Sequence, residues 1–116
     1  MTQNLIKKAK EIINDYDVII DVENQTYTAV SGNFCKLVDY ECVNFLEKPF
    51  DETTEVIGGD RKEILQEIVE NKRQSPVELV VNKKDGSRIK IIGYGKVIEH
   101  EGKQYVVGKI TDLAKV

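Results

Sequence analysis

Val77-Glu-Leu-Val-Val-Asn82, then Lys83-Lys-Asp-Gly-Ser87, then a long run to Ile98 is the stretch whose reading decides the fold. The first six residues are a strand, and Lys83 to Ser87 form an Asp-Gly turn of the kind that reverses an antiparallel pair. Ser87 to Ile98 is a second strand, His100-Glu-Gly-Lys103 a second turn, and Gln104 to Thr111 a third strand. A meander of this kind needs a cover on at least one face. The upstream sequence is therefore read as that cover.

Side chains alternate across a strand, so the two faces can be separated. In the second strand Ile89, Ile91, Gly93, Gly95 and Val97 form one set, and Lys90, Ile92, Tyr94, Lys96 and Ile98 the other. In the third, Val106, Gly108 and Ile110 oppose Tyr105, Val107 and Lys109. The lysines must reach water, which sends the Ile89 and Val106 sets inward. Three glycines then fall on the inner face. Glycine inside a strand marks a bulge or the close approach of a ligand or another backbone. The expected cavity is lined by Leu79, Val81, Ile89, Ile91, Gly93, Gly95, Val106, Gly108 and Ile110, and a leucine at Gly93 is expected to fill it. A helix packed close, or a bulge, is the other account of the glycines.

Upstream, Leu5, Ile6, Ala9, Ile12 and Ile13 form the apolar stripe of an amphipathic helix that Thr2 can cap. This stripe matches the outer sheet residues Ile92, Tyr94, Tyr105 and Val107, as a cover from its own chain or from a partner in a homodimer. Val18 to Val22 and Thr26 to Val30 make a first hairpin. Ser31 stands at a helix N-cap, and residues 39–58 are irregular, with Pro49 and Gly58-Gly59 as breaks. Asp60-Arg-Lys-Glu63 reads as a capping box, starting a helix with Ile64, Leu65, Ile68 and Val69 inside and Lys72 and Arg73 at its end; Pro76 stops it.

This order, with these motifs, resembles a PAS domain over residues 17–113, with residues 1–16 as a flanking helix. Phe34-Cys-Lys-Leu-Val-Asp-Tyr40 sits where the family has Phe-x-x-Leu-x-Gly-Tyr. Gly59-Asp-Arg61 is similar to the family's Pro-Glu-Asp-Arg before the long helix, and Lys84-Asp-Gly-Ser87 to its Lys-Asp-Gly-Ser turn. Ile110-Thr-Asp-Leu113 resembles the closing Asp-Ile-Thr. Ser31 replaces the usual Asn, and Asp39 the usual Gly. The resemblance implies an α+β fold: a five-stranded antiparallel sheet, helices on one face, and a small cavity between them. It implies a sensory and dimerisation module covering residues 17–116, attached to a C-terminal output domain. The parent would be a histidine kinase, a cyclic-dinucleotide enzyme or a transcriptional regulator. Signal would leave through Thr111 and Asp112, with Asp112 capping a following helix or pairing with Lys84 or Lys109. A ligand-free interaction module is the alternative.

The remaining composition narrows the chemistry. One hundred and sixteen residues suffice for one domain. A net charge of −3 without a basic cluster argues against a nucleic-acid surface. No apolar run approaches the roughly 20 residues of a membrane span, and no signal peptide is read, so the expected compartment is the cytoplasm. The two cysteines, Cys35 and Cys42, are read as reduced and structural. The single histidine, His100, is placed in an exposed turn, and no catalytic or metal set is found. A third reading, a small isomerase with a cone-like fold, fares poorly because no inner-face position of this sequence carries a carboxylate or histidine. Haem-binding relatives carry a histidine on the long helix, and none occurs in residues 60–74. LOV-type flavin binding needs Asn-Cys-Arg-Phe-Leu-Gln after Tyr40, whereas Asn33-Phe-Cys35-Lys precedes it. An apolar or small mixed ligand, or none, is left.

Overall fold

Eleven elements follow one another in the computed structural model, which describes residues 2–70 and 76–115. They are α1 (Thr2–Ile12), β1 (Val18–Asp21), β2 (Thr26–Val30), α2 (Gly32–Val38), α3 (Cys42–Leu46) and α4 (Phe50–Thr53), then β3 (Thr54–Ile57), α5 (Arg61–Val69), β4 (Val77–Asn82), β5 (Arg88–His100) and β6 (Lys103–Lys115). The side chain of Thr2, and Lys72 and Arg73, lie outside what is described, and with them the cap and the helix-end charges expected there.

The strands form one antiparallel sheet in the order β2-β1-β6-β5-β4-β3. It has six strands rather than five. The addition is β3, whose Thr54-Glu-Val-Ile57 pairs with the edge of β4, Val56 standing opposite Leu79. β6 also runs past Thr111 to Lys115. It can do so because the ladder absorbs one extra residue: Ile92 opposes Asp112 while Gly93 opposes Ile110. Thr111 is thus bulged, and its hydroxyl donates to the Ile92 carbonyl at 3.1 Å.

Two hydrophobic clusters sit on opposite faces. On the outer face α1 lays Leu5, Ala9 and Ile13 over Ile19, Ala29, Ile98 and Val107, with Tyr16 closing the end. Its buried stripe follows an i, i+4, i+8 spacing, so Ile12 falls outside it and is 46% exposed. On the inner face Ile20, Val81, Ile91 and Val106 meet Tyr27, Phe34, Val38, Phe45, Phe50 and Leu65.

The local caps explain where the short helices begin and end. The Ser31 hydroxyl accepts the Phe34 N–H at 3.1 Å, the N-cap bond that orients α2. Asp39 adopts a left-handed conformation with φ 62°, so the turn that usually needs glycine is made by the residue type that tolerates it next best. Asp60 occupies the N-cap of α5 with extended backbone, but its side chain makes no capping bond; the capping box is present in position and not in hydrogen bonding.

The reversal at Asp39 brings α2 back against α3. Cys35 and Cys42 come within 5.5 Å between Cα atoms and are joined as a disulfide. This corrects the expectation of two reduced cysteines.

Candidate functional site: an apolar cavity under the inner sheet face

An apolar cavity of about 80 Å³ lies between the inner sheet face and the helices. Its floor comes from alternate residues of the strands: Val18 and Ile20 of β1, Leu79 of β4, Ile91 of β5, Val106 and Ile110 of β6. Its roof comes from Phe34 of α2, Phe50 of α4, and Ile64, Leu65 and Ile68 of α5. A cluster of rings joins this roof to the sheet, through Tyr27 of β2 and through Phe45 of α3 behind it. Tyr27 lies 5.0 Å from Phe50 and 5.1 Å from Phe45, and Phe45 meets Phe34 edge-on at 5.2 Å. The Arg61 guanidinium covers the Phe50 ring at 5.3 Å and donates to the Gln25 side chain.

Of the nine residues expected at a cavity, seven line it: Leu79, Ile91, Gly93, Gly95, Val106, Gly108 and Ile110. Val81 is fully buried in the same core without facing the space, and Ile89 packs at its border. The wall also contains residues that strand alternation did not reveal, chiefly Phe34, Phe50, Ile64 and Leu65. Only helix placement brings those across from the sheet.

The glycines have a more specific role than clearing room. A Cβ on Gly93 would run into the carbonyl oxygen of Lys109, across the bulge. On Gly95 it would come within 2.6 Å of a Val106 methyl and 3.6 Å of the Ile68 side chain, and on Gly108 within 2.9 Å of a Val18 methyl. These positions are small because a neighbouring strand or α5 already fills the space. A leucine at Gly93 therefore disturbs the β5–β6 pairing before it fills any cavity.

The few polar groups at the cavity are engaged. Tyr27 Oη and Thr54 Oγ1 share a hydrogen bond at 2.9 Å, and Thr54 Oγ1 also lies 3.2 Å from Thr53 Oγ1. Burial, opposed in part by the Thr54 bond, pushes the Tyr27 phenol up to about 12. At the β6 side, Lys109 Nζ sits 3.0 Å from Asp15 and 3.7 Å from Asp17. The Asp15 bond holds the ammonium pKa above its ordinary value and the carboxyl below its own. Asp17, 7% exposed, accepts the Ile110 N–H at 2.8 Å and the Ser31 hydroxyl at 3.4 Å. One carboxylate thereby ties the cavity's sheet wall to the cap of its helical wall.

The residues expected to mediate contact between subunits divide. Leu5, Ala9, Ile13 and Val107 are buried within the chain, and Ile6 and Tyr105 pack partly against them. Ile92 is half-buried outside that cluster, while Ile12 and Tyr94 stay exposed. The expected output residues stand inside β6: Thr111 is the bulge, and Asp112 accepts its neighbour Leu113's N–H at 2.9 Å. Asp112 caps no helix there, and Lys109 is taken by Asp15 and Asp17. His100 is not in the open turn expected of it. It ends β5 with a side chain 15% exposed, its Nε2 buried without a hydrogen bond and 3.9 Å from Glu101. Among the described residues no three His, Cys, Asp or Glu side chains gather as a metal set, and no helix is long and apolar enough to cross a membrane.

No family model matches the chain, and no curated protein matches it in sequence. Solved structures do. The PAS domain of an HTR-like protein from Haloarcula marismortui is 14% identical with a TM-score of 0.56, over 95% of this chain and 93% of that one. The PAS domain of the fruit-fly ELK potassium channel is 16% identical with a TM-score of 0.58, over 97% of each. A PAS domain from a two-component sensor histidine kinase is 14% identical with a TM-score of 0.59, over 96% of this chain and all of that one. Sheet order, roof helices and these likenesses agree: the chain has the fold of a PAS domain.

Proposed function

We propose that the chain is a sensory module of a signalling protein, non-catalytic itself, in which occupancy of the inner cavity biases the β6 strand and hence a C-terminal output domain. The observation that carries this reading is the cavity's construction. Its floor and roof come from different elements, and one floor residue, Ile110, stands beside the Thr111 bulge where β5 and β6 change register. A molecule that spreads floor from roof acts directly on that irregular point, and a bulged ladder has alternative pairings for a ligand to choose between.

The fitting ligand is small, neutral and apolar. Haem and flavins need pockets on the scale of about 300–1,000 Å³, far more than is open here. The proposed compartment is the cytoplasm, and the proposed assembly a homodimer through the exposed Ile12 and Tyr94 beside Ile92. A ligand-free interaction module is the second reading, favoured by the small volume and by that exposed strip.

Native mass spectrometry of gently purified protein, alone and as Leu79→Phe, separates the two. Extra mass on each subunit that Leu79→Phe loses is the expected result. Bare dimers in both sink the ligand and leave the interaction module; bare monomers sink both.

A further inference from the structure

Cys35 and Cys42, the chain's only cysteines, are bonded, and other interactions hold the same segment. A disulfide steadies a protein mainly by closing a loop of the unfolded chain, and its effect grows with that loop. The sequence separation here is only 7. The segment between the sulfurs is also fixed by other means. Asp39 closes α2 in its left-handed turn, the Lys84 N–H donates to the Val38 carbonyl at 3.1 Å, and the Lys83 ammonium stands 3.3 Å from the Asp39 carboxylate. A domain of this length with two buried clusters does not need a staple.

The bond's location is more telling. Phe34, next to Cys35, lines the cavity roof, and Phe45 lies about one turn beyond Cys42, against Phe34. The bond therefore ties α2, whose Phe34 lines the cavity roof, to α3, whose Phe45 backs that ring from behind. The two residues also differ in exposure. Cys35 is 5% exposed, whereas Cys42 is only half-buried.

We propose that Cys35 and Cys42 are a reversible thiol–disulfide site, with Cys42 oxidised first and Cys35 resolving it, so that redox state sets how firmly α2 and α3 hold the cavity roof. The oxidant is hydrogen peroxide. The Cys42 thiolate attacks one peroxide oxygen, the O–O bond breaks, and the leaving oxygen takes up a proton as water, which makes Cys42 a sulfenic acid. The Cys35 thiolate then attacks that sulfur; the S–O bond breaks, a second water leaves and the S–S bond forms. Two thiols and one hydrogen peroxide give one disulfide and two waters, the sulfurs losing two electrons to the peroxide. A small dithiol returns them by exchange. In a reducing compartment a bond of this kind is transient and regulatory rather than permanent.

This inference goes beyond the sensory reading and needs no ligand, so a bare protein in the mass spectrometer leaves it standing. The test treats the whole folded chain with millimolar dithiothreitol, then with hydrogen peroxide. Thiols are trapped with N-ethylmaleimide and counted by intact mass, and hydrogen exchange is compared between the two forms. The expected result is a bond that opens in the folded protein and recloses with peroxide, with amides of residues 36–46 exchanging several-fold faster when reduced and those of β5 and β6 unchanged. Cys35→Ser is expected to give a sulfenic acid at Cys42 that dimedone traps, and Cys42→Ser none at Cys35. A bond that opens only on denaturation overturns the proposal, as does reduction that unfolds the whole domain or leaves residues 36–46 unchanged. Equal trapping in the two variants overturns the assigned order.

Discussion

The two faces of the sheet use the same strands and end in opposite conditions. Val106 and Val107 are neighbours on β6; the first faces the cavity and the second is fully buried under α1. Outside, one straight helix meets a surface trimmed for it. Ala9 has no exposure at all, and Ala29, Ile19 and Val107 let the helix axis come close. Inside, the cover is divided among α2, α3, α4 and α5, and their side chains, Phe34, Phe45, Phe50 and Leu65 among them, leave a space against the sheet. Interiors otherwise approach crystalline density, so the remaining space reflects the geometry of the cover rather than a shortage of apolar residues.

The largest expected effect is at the inner face's most buried ring. Phe45 is fully buried and touches Tyr27, Phe34 and Tyr40. Phe45→Ala is expected to cost about 3–5 kcal/mol in urea unfolding. A loss below about 1 kcal/mol would mean that the roof is loose and the cavity ill-defined.

Enlarging a side chain gives the sharpest contrast between the faces. Ala9→Leu adds atoms where none fit and is expected to cost about 1–3 kcal/mol. Leu79→Phe adds them beside the cavity and is expected to be neutral or to gain about 0.5–2 kcal/mol, as cavity-filling changes do. If both variants lose stability equally, the inner face is as full as the outer. Gly93→Ala behaves like the outer-face change although Gly93 lines the cavity, because its Cβ meets the Lys109 carbonyl. A loss of about 1–3 kcal/mol is expected, and a gain at Gly93 would return that glycine to the role of clearing space.

What the sequence revealed follows the same division. Lysines at alternate positions of β5 and β6 separated the faces, since an ammonium has to reach water, and seven of the nine expected residues line the cavity. Local chemistry announced the Asp-Gly turn, the Ser31 cap and the α1 stripe. Long-range encounters left weaker traces. β3 is four residues in an irregular stretch and is a strand because β4 offers a free edge; Thr54, Glu55, Val56 and Ile57 carry no clean alternation to announce it. The disulfide depends on Asp39 turning left-handed, which no spacing between Cys35 and Cys42 expresses. Ile12 looked apolar enough for the buried stripe, but the helix turns it to solvent. The glycines left two accounts open, room for a ligand or close packing, and the atoms that meet them come from strands and a helix distant in sequence, which supports close packing.

The smallest expected effect lies in the buried Tyr27–Thr54 hydrogen bond of the inner face. Tyr27→Phe removes the hydroxyl bonded to Thr54, and Thr54 keeps Thr53 as a partner; the cost at neutral pH is therefore expected near the low end of about 0.5–1.5 kcal/mol. The pH profile is the better discriminator. Burial raises the Tyr27 phenol from 10.0 to about 12 in the folded chain, so the folded state holds a proton that the unfolded state releases. That contribution is complete below 10.0 and is lost as pH climbs toward about 12. On the outer face Tyr16 is also raised by burial, and Lys103 and Lys109 are raised by their carboxylate partners, so Tyr27 is one of several sources of alkaline destabilisation. Tyr27→Phe is expected to lose one of them, giving a shallower fall in stability between pH 10.0 and about 12. Identical slopes in variant and parent would mean that water reaches Tyr27 and that the inner cavity is wet, which removes the difference between the two faces.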